Sequence, residues 1–395
     1  MSSPNPLAHE PDKNLNTEQF IKSRGYGYEF HPILTDDGYY IAAHRIINPV
    51  RPVSKRPVLF VTGLGGYSVE WLRNSPGGFP NETLDSVGPN IGFEVAKRGY
   101  DTWLMDIRGS ILYSYKHAVY DADHDLQYWD YSQDEIAFFD MPNTIDYIRS
   151  VTGKKKKIGM VVTQFMTTTY FFLASKVKRF NYNISPLIAL APAFGFQGAI
   201  TSMIAPTPAE AAAIQVLKME RGSVIPQSLY RVGESSVCNS RLVARIVCNP
   251  MLFVSTELAQ PGSLNINRLS VYLSGPSLSI SSWQLAHRLS LGLSQRVTMF
   301  DVDPETNIKR YGRREPPEYM ASKITNPDMH FITAISDLQY NQKDLAQFKR
   351  KLGVRVKSEV VIPILWSVMS YQDAAVPDVI YWVNEPIISI LKSYD

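Results

Sequence analysis

KIGMVVTQFMTTTYFF, residues 157–172, is the stretch that decides the fold. Residues 158–162 (IGMVV) form a short apolar run, the signature of a strand buried on both faces. The chain after it predicts a helix running through Phe171 to Lys176. The same alternation recurs outward in both directions. Residues 56–61 (RPVLFV) end in Gly63-Leu64-Gly65-Gly66, and residues 100–105 (YDTWLM) run into Asp106-Ile107-Arg108-Gly109. Ile136, Phe139, Ile145 and Ile148 have helical spacing and predict a helix over residues 134–151. Residues 187–190 are a fourth strand, and residues 330–335 return a further one. Strands separated by helices imply an α/β fold with a mostly parallel sheet covered on both faces. Between about residues 198 and 309 the pattern changes to helical segments and loops, such as AEAAAIQVLKM (209–219) and SRLVARIV (240–247). An insertion between two parts of one sheet accounts for this. The expected organisation is a polar N-terminal extension (1–16), a first core part (17–197), a helical cap- or lid-like insertion (198–320) and a second core part (321–395).

Composition narrows the function classes. The chain has 395 residues, 45% hydrophobic and 19% charged, which suits a large buried core and excludes a mostly disordered chain. A net charge of +3 is too mild to name nucleic acid as the main partner. Two cysteines, Cys238 and Cys248, exclude a disulfide-dense scaffold and a cysteine-only zinc ribbon. On one straight helix they would lie about 15 Å apart, too far to bridge, whereas a bend would allow a disulfide. The uncharged stretch 181–209 has the length of a membrane span, but Pro186, Pro192, Gly195, Gly198 and Pro206 punctuate it. It reads as a buried strand, a loop and a helix. The polar N-terminus lacks the apolar core of a secretory signal, so the expectation is an intracellular or organellar location, the mitochondrion included. Lys154–Lys157 reads as a solvated loop. Gly63-Leu64-Gly65-Gly66 lacks the Lys-Ser/Thr of a phosphate loop. His117, His124, Asp121, Asp123 and Asp125 form a polar cluster without metal-ligand spacing, and His287 reads as structural.

Across most of its length the chain resembles the acid lipase family of α/β-hydrolases, which includes gastric and lysosomal acid lipases. The matching segments are TEQFIKSRGYGYEFHPILTDDGYYIAAHRI (17–46), TGLGGYSVEWLRN (62–74), RGYDTWLMDIRGS (98–110), YWDYSQDEIAFFDMPNTIDYI (128–148), ALAPA (189–193), NRLSVYLSGPSLSISSWQLAH (267–287) and YGRREPPEY (311–319). The loop at residues 75–92 is longer than the family's. The resemblance implies lipid-ester hydrolysis by a Ser-His-Asp triad, and no cofactor or metal is expected in this chain. This sequence departs from that pattern at almost every catalytic position. The family's G-H-S-Q-G turn becomes Val162-Thr163-Gln164-Phe165-Met166. A carboxamide has no hydroxyl to form an acyl-enzyme. Both flanking glycines are replaced by bulky residues, so the expectation is a turn relaxed out of the usual strained geometry. Asp337 falls on the acid position. The base position falls near Leu365, Trp366 or Ser367, and none of the seven histidines lies beyond Asp337. The vestigial oxyanion loop comprises Gly63 and Leu64, with Phe165 as the second donor, and the family's histidine before Gly63 is Thr62.

Three functions follow as expectations. The first is an inactive lipase-like protein serving as a structural or scaffold subunit, with other protein subunits as partners and the N-terminus and the 75–92 loop as contact surfaces. The second is a lipid- or fatty-acyl-binding protein whose inherited pocket would be lined by Phe165, Met166, Phe194 and Phe196, with membrane association left open and no transmembrane helix. The third is an ester hydrolase with another nucleophile, Thr163 or Thr167.

Overall fold

The computed structural model describes residues 10–64, 66–153, 156–195, 208–224, 264–272, 280–294, 296–337, 342–366 and 370–395. Its nine described strands form one sheet: β1 (Gly27–Leu34), β2 (Tyr39–Ile47), β3 (Pro57–Val61), β4 (Asp101–Asp106), β5 (Lys116–His117), β6 (Ile158–Thr163), β7 (Ile184–Leu190), β8 (Met329–Asp337) and β9 (Ser358–Trp366). The order is β1-β2-β4-β3-β6-β7-β8-β9, with the short β5 on β2. β1, β2 and β5 are antiparallel to their neighbours. From β4 to β9 every pairing is parallel. Every residue of β3, β4, β6 and β7 is buried, which is why their sequences are runs rather than alternations. The uncharged stretch therefore contains a central strand, β7, after the short helix Phe180–Asn183. No described helix is long and apolar enough to cross a membrane.

The helix expected at residues 134–151 is interrupted. Ser132 and Glu135 form a reciprocal capping box, and residues Ile136–Asp140 then make a wide π turn before the helix Met141–Thr152. Pro142 has no N–H to give to an i−4 carbonyl, and the Met141 N–H reaches back to Ile136 instead. In this stretch Asp140 meets Arg108, which is fully buried between Asp140 and Asp37 with its guanidinium 3.9 Å from the Tyr39 ring centroid. Burial pushes the Asp140 carboxyl up to about 6 despite that cation.

β7 and β8 are neighbours in space, so the chain between them is an insertion into the sheet's connectivity. Among its described residues, the helices Pro208–Glu220 and Ser282–Leu293 pack around Ile214, Trp283, Ala286 and Phe300. Asp134 ties the returning chain to the core, accepting from Phe300 N–H (2.8 Å) and Tyr319 O–H (2.6 Å). Cys238, Cys248 and Phe196 lie outside the described residues. The last part of the N-terminal extension is bound to the core. Asp12 is buried, and its carboxylate accepts from Arg24 (2.8 Å) and from Arg268 of the insertion (2.6 Å). The 75–92 loop is likewise stitched to itself. Asn90 bonds the backbone at both Ser75 and Gly77, and Glu82 accepts from the N–H groups of Gly78 and Phe79.

Candidate functional site

β6 delivers the chain to Gln164, and the helix Phe165–Lys176 starts one residue later. Gln164 has φ +55° and ψ −131°, a conformation rarely open to a side chain. The expected relaxation of this turn is therefore corrected: the strained bend is present without serine or glycine. Such a conformation costs roughly 1–3 kcal/mol and persists only when its surroundings over-determine it. Here they do. Gln164 N–H donates to Leu190 O on the neighbouring strand (2.9 Å). Gln164 O accepts from both the N–H (2.9 Å) and the hydroxyl (2.6 Å) of Thr167. Thr168 adds a bond to Ala193 O (2.8 Å). The bulky flanks are absorbed by the core rather than by the turn. Val162 pairs in register with Val61 and Ala189, and the Met166 sulfur lies 3.6 Å from Gln133 Nε2.

The Gln164 side chain points at the oxyanion loop. A β-carbon built on Gly63 would stand 2.4 Å from Gln164 Oε1, so the carboxamide lies directly against this glycine. The loop itself is closed by Gly66 N–H to Gly63 O (3.0 Å). Thr62, in place of the family's histidine, donates to Tyr67 O (3.1 Å) and accepts from the Trp71 indole (3.0 Å). Its hydroxyl is thus a structural link. Leu64 is partly buried, and Phe165 is buried as the first residue of the helix.

The positions expected for acid and base are neighbours in the sheet. Asp337 ends β8 and stands in register with Trp366, the last residue of β9, while Leu365 stands opposite Ser336. Trp366 is buried edge-on to Tyr371, their ring centroids 5.5 Å apart. No described histidine has the turn among its partners. His31 bonds Tyr147 and Glu29, His44 bonds Asp106 and Tyr28, and His117 bonds Asp37 O. His124 bonds Asp121, and His287 bonds Thr298 O from a buried position. The Asp121 carboxylate accepts from the N–H groups of Asp123 and His124, a turn rather than a ligand set. Thr163 is fully buried with no hydrogen bond to its hydroxyl, and Thr167 spends its hydroxyl proton on Gln164 O. Phe165, Met166 and Phe194 are all core side chains.

Two clusters escaped sequence reading because their members are far apart in the chain. Beside the oxyanion loop, Glu70 and Asp373 flank Arg73, at 3.7 and 2.7 Å. Burial, aided by Asp373 and opposed by Arg73, raises the Glu70 carboxyl to about 7. The second cluster sits at the opposite end of the sheet. His330 and Ser358 are paired across β8 and β9, and Ser358 Oγ lies 2.6 Å from His330 Nδ1. His330 Nε2 is 2.9 Å from the Tyr394 hydroxyl. That hydroxyl accepts from Lys357 (2.8 Å) and donates to Asp328 (3.0 Å). With its one proton committed to a carboxylate, Tyr394 can only accept from Nε2–H. Nδ1 is then the bare nitrogen, and Ser358 donates to it. Burial, with help from Lys357, lowers the imidazole to about 4 and keeps it neutral. Seven residues of strand, about 23 Å, separate His330 from Asp337.

Comparison with known proteins places these residues in a lineage. Residues 17–75 match the family model described as a partial α/β-hydrolase lipase region. Human lipase member K is 30% identical over 323 residues, 80% of this chain and 77% of that protein. Gastric triacylglycerol lipase of Rattus norvegicus is 27% identical over 365 residues, covering 87% and 84%. Among solved structures, a monoglyceride lipase of Saccharomyces cerevisiae superposes with a TM-score of 0.51 at 15% identity, covering 93% of this chain and 94% of that one. An epoxide hydrolase of Vigna radiata gives 0.52 at 13% identity, covering 94% and 99%.

Proposed function

We propose, from the premise that this chain belongs to the acid lipase family of α/β-hydrolases, that it is a pseudoenzyme acting as a structural subunit of a protein assembly. The observation that supports this most directly is the Gln164 carboxamide lodged against Gly63 in a fully formed nucleophile turn. The amide cannot attack an acyl carbon, and it lies where substrate oxygen would meet the oxyanion donors. Among the described residues no histidine bonds Gln164, Thr163 or Thr167, which agrees with this reading. Survival of the turn's geometry without its chemistry fits selection for the fold.

Two measurements test the reading together. The purified protein should hydrolyse p-nitrophenyl esters no faster than buffer. Isolated from its native source, it should come with a partner in fixed stoichiometry. Turnover abolished by Gln164→Ala, or a free monomer at native concentration, contradicts it.

The Ser358–His330 pair favours a second reading, an ester hydrolase with a displaced nucleophile. In it Ser358 Oγ would attack the acyl carbon and His330 Nδ1 would take its proton. A fluorophosphonate label on Ser358, lost in His330→Asn, would establish it, and absence of label removes it. The acyl-binding alternative draws less support, because Phe165 and Met166 are buried in the core, and of the expected lining only Phe194 borders a recess among the described residues.

A further inference from the structure

Two recesses beside the C-terminal end of the helix Phe165–Lys176 share Lys176, Glu318, Met320 and Ser322, and so form one open cleft. The larger part measures about 810 Å³ and the smaller about 620 Å³. Eleven residues of helix, about 16 Å, separate Lys176 from the turn at Gln164. This cleft is therefore not the degenerate site.

Its charge is lopsided. The lining contains Lys176, Lys178, Arg296, Arg313, Lys323 and Lys351 against a single carboxylate, Glu318. The whole chain has 40 basic and 37 acidic residues, so six to one is a local departure from near balance. Nearby anions answer only part of it. Arg296 shares Glu318 (3.3 Å) and Glu315 (3.6 Å), while Arg313 donates to the carbonyls of Glu315 (2.7 Å) and Pro316 (3.4 Å). Lys176 Nζ donates to Glu318 O (2.8 Å) and lies 5.2 Å from the centre of the Tyr319 ring. Lys178, Lys323 and Lys351 have no carboxylate partner among the described residues. The cations also oppose one another. Burial lowers the Lys176 ammonium, and Arg313 lowers it further against the pull of Asp134 and Glu318.

An anion that satisfies this cleft must bear several charges. One carboxylate would match one cation of the six. A phosphate monoester brings about 1.5–2 negative charges and three acceptor oxygens, suited to arginine forks and lysine point charges. We infer that the cleft between the helix Phe165–Lys176 and residues 313–323 binds a multiply phosphorylated ligand, free or as a lipid headgroup. The inference does not depend on whether the protein is a pseudoenzyme.

Calorimetry on the full chain tests it, with inorganic tripolyphosphate as one probe. The other probe is phosphatidylcholine vesicles with and without phosphatidylinositol bisphosphate. Binding is expected at low salt and should weaken severalfold as salt rises from about 0.05 to about 0.3 M. The double variant Arg313→Glu/Lys351→Glu should lose at least tenfold in affinity. The control Lys22→Glu/Lys116→Glu, with the same change in net charge far from the cleft, should lose less than twofold. Binding of tripolyphosphate alone identifies a soluble ligand, and phosphoinositide-dependent vesicle binding identifies a headgroup. No binding of either probe overturns the inference. So does an equal loss in the control, which would mean diffuse attraction, and so does tighter binding of a single-stranded RNA oligomer.

Discussion

The two ends of the parallel sheet have opposite relations between backbone and chemistry. At the C-terminal end the backbone is that of a hydrolase, with a positive φ at Gln164 and the acid and base positions adjacent on β8 and β9, yet an amide and a tryptophan stand there. At the N-terminal end the backbone is ordinary strand, yet a serine hydroxyl faces a neutral imidazole backed by Tyr394 and Asp328. The contrast teaches that a strained turn and a hydroxyl–imidazole pair need not coincide. The bend at Gln164 is maintained by Leu190, Thr167 and the strand that leads into it, so it requires neither serine nor glycine at its apex.

The contrast can be broken most decisively at the turn. Gln164→Ser restores the hydroxyl but not the imidazole, and its esterase rate should stay at least about 10³-fold below that of an active triad enzyme. A larger gain, read with p-nitrophenyl butyrate, would reveal a base at this end. The buried cation that anchors the core beside β4 comes next. Arg108→Met leaves Asp37 and Asp140 facing each other and should cost about 3–5 kcal/mol in urea unfolding.

The opposite end is sharpened by pH. His330 has a folded value of about 4 against 6.5 when free, so between those values the unfolded chain binds more protons. Its contribution is therefore complete above 6.5 and is lost as pH falls to 4. Replacing His330 by Asn should flatten that acid-side loss by about 1–3 kcal/mol, seen as a smaller drop in Tm between pH 6.5 and 4. Glu70 acts in the opposite sense. Its carboxyl is raised to about 7, so its contribution is present below 4.5 and fades as pH rises to 7, and Glu70→Gln should remove that fade. The smallest effect belongs to strain. Gln164→Gly should stabilise the protein by up to about 1 kcal/mol, because glycine accepts the positive φ at little cost. Destabilisation instead would mean that the carboxamide's contacts with the Gly63 loop outweigh the strain.

Much of the fold could be read from the chain. The runs at residues 158–162 and 187–190 are strands because a parallel sheet covered on both faces has no polar side to alternate with. The π turn at Ile136–Asp140 was not legible, since Pro142 could equally have ended the helix. The residues at the expected triad positions were legible one by one, but the shape of the turn was not. Bulk at Val162 and Met166 gives no sign of the hydrogen bonds to Leu190 O and from Thr167 that hold the bend. Ser358 and His330 gave no signal at all, being 28 residues apart and joined only by strand pairing.

The sequence by itself determined that no serine occupies the turn and no histidine follows Asp337, because a residue's identity is local and needs no neighbours to be known. It also determined the strand–helix order, because hydrophobic runs report burial directly. Only the tertiary structure decided that Gln164 keeps the strained conformation, that its amide rests on Gly63, and that six cations gather around one cleft. These are properties of atoms brought together from separate parts of the chain, and their energies come from hydrogen bonds, burial and charge that no linear pattern contains.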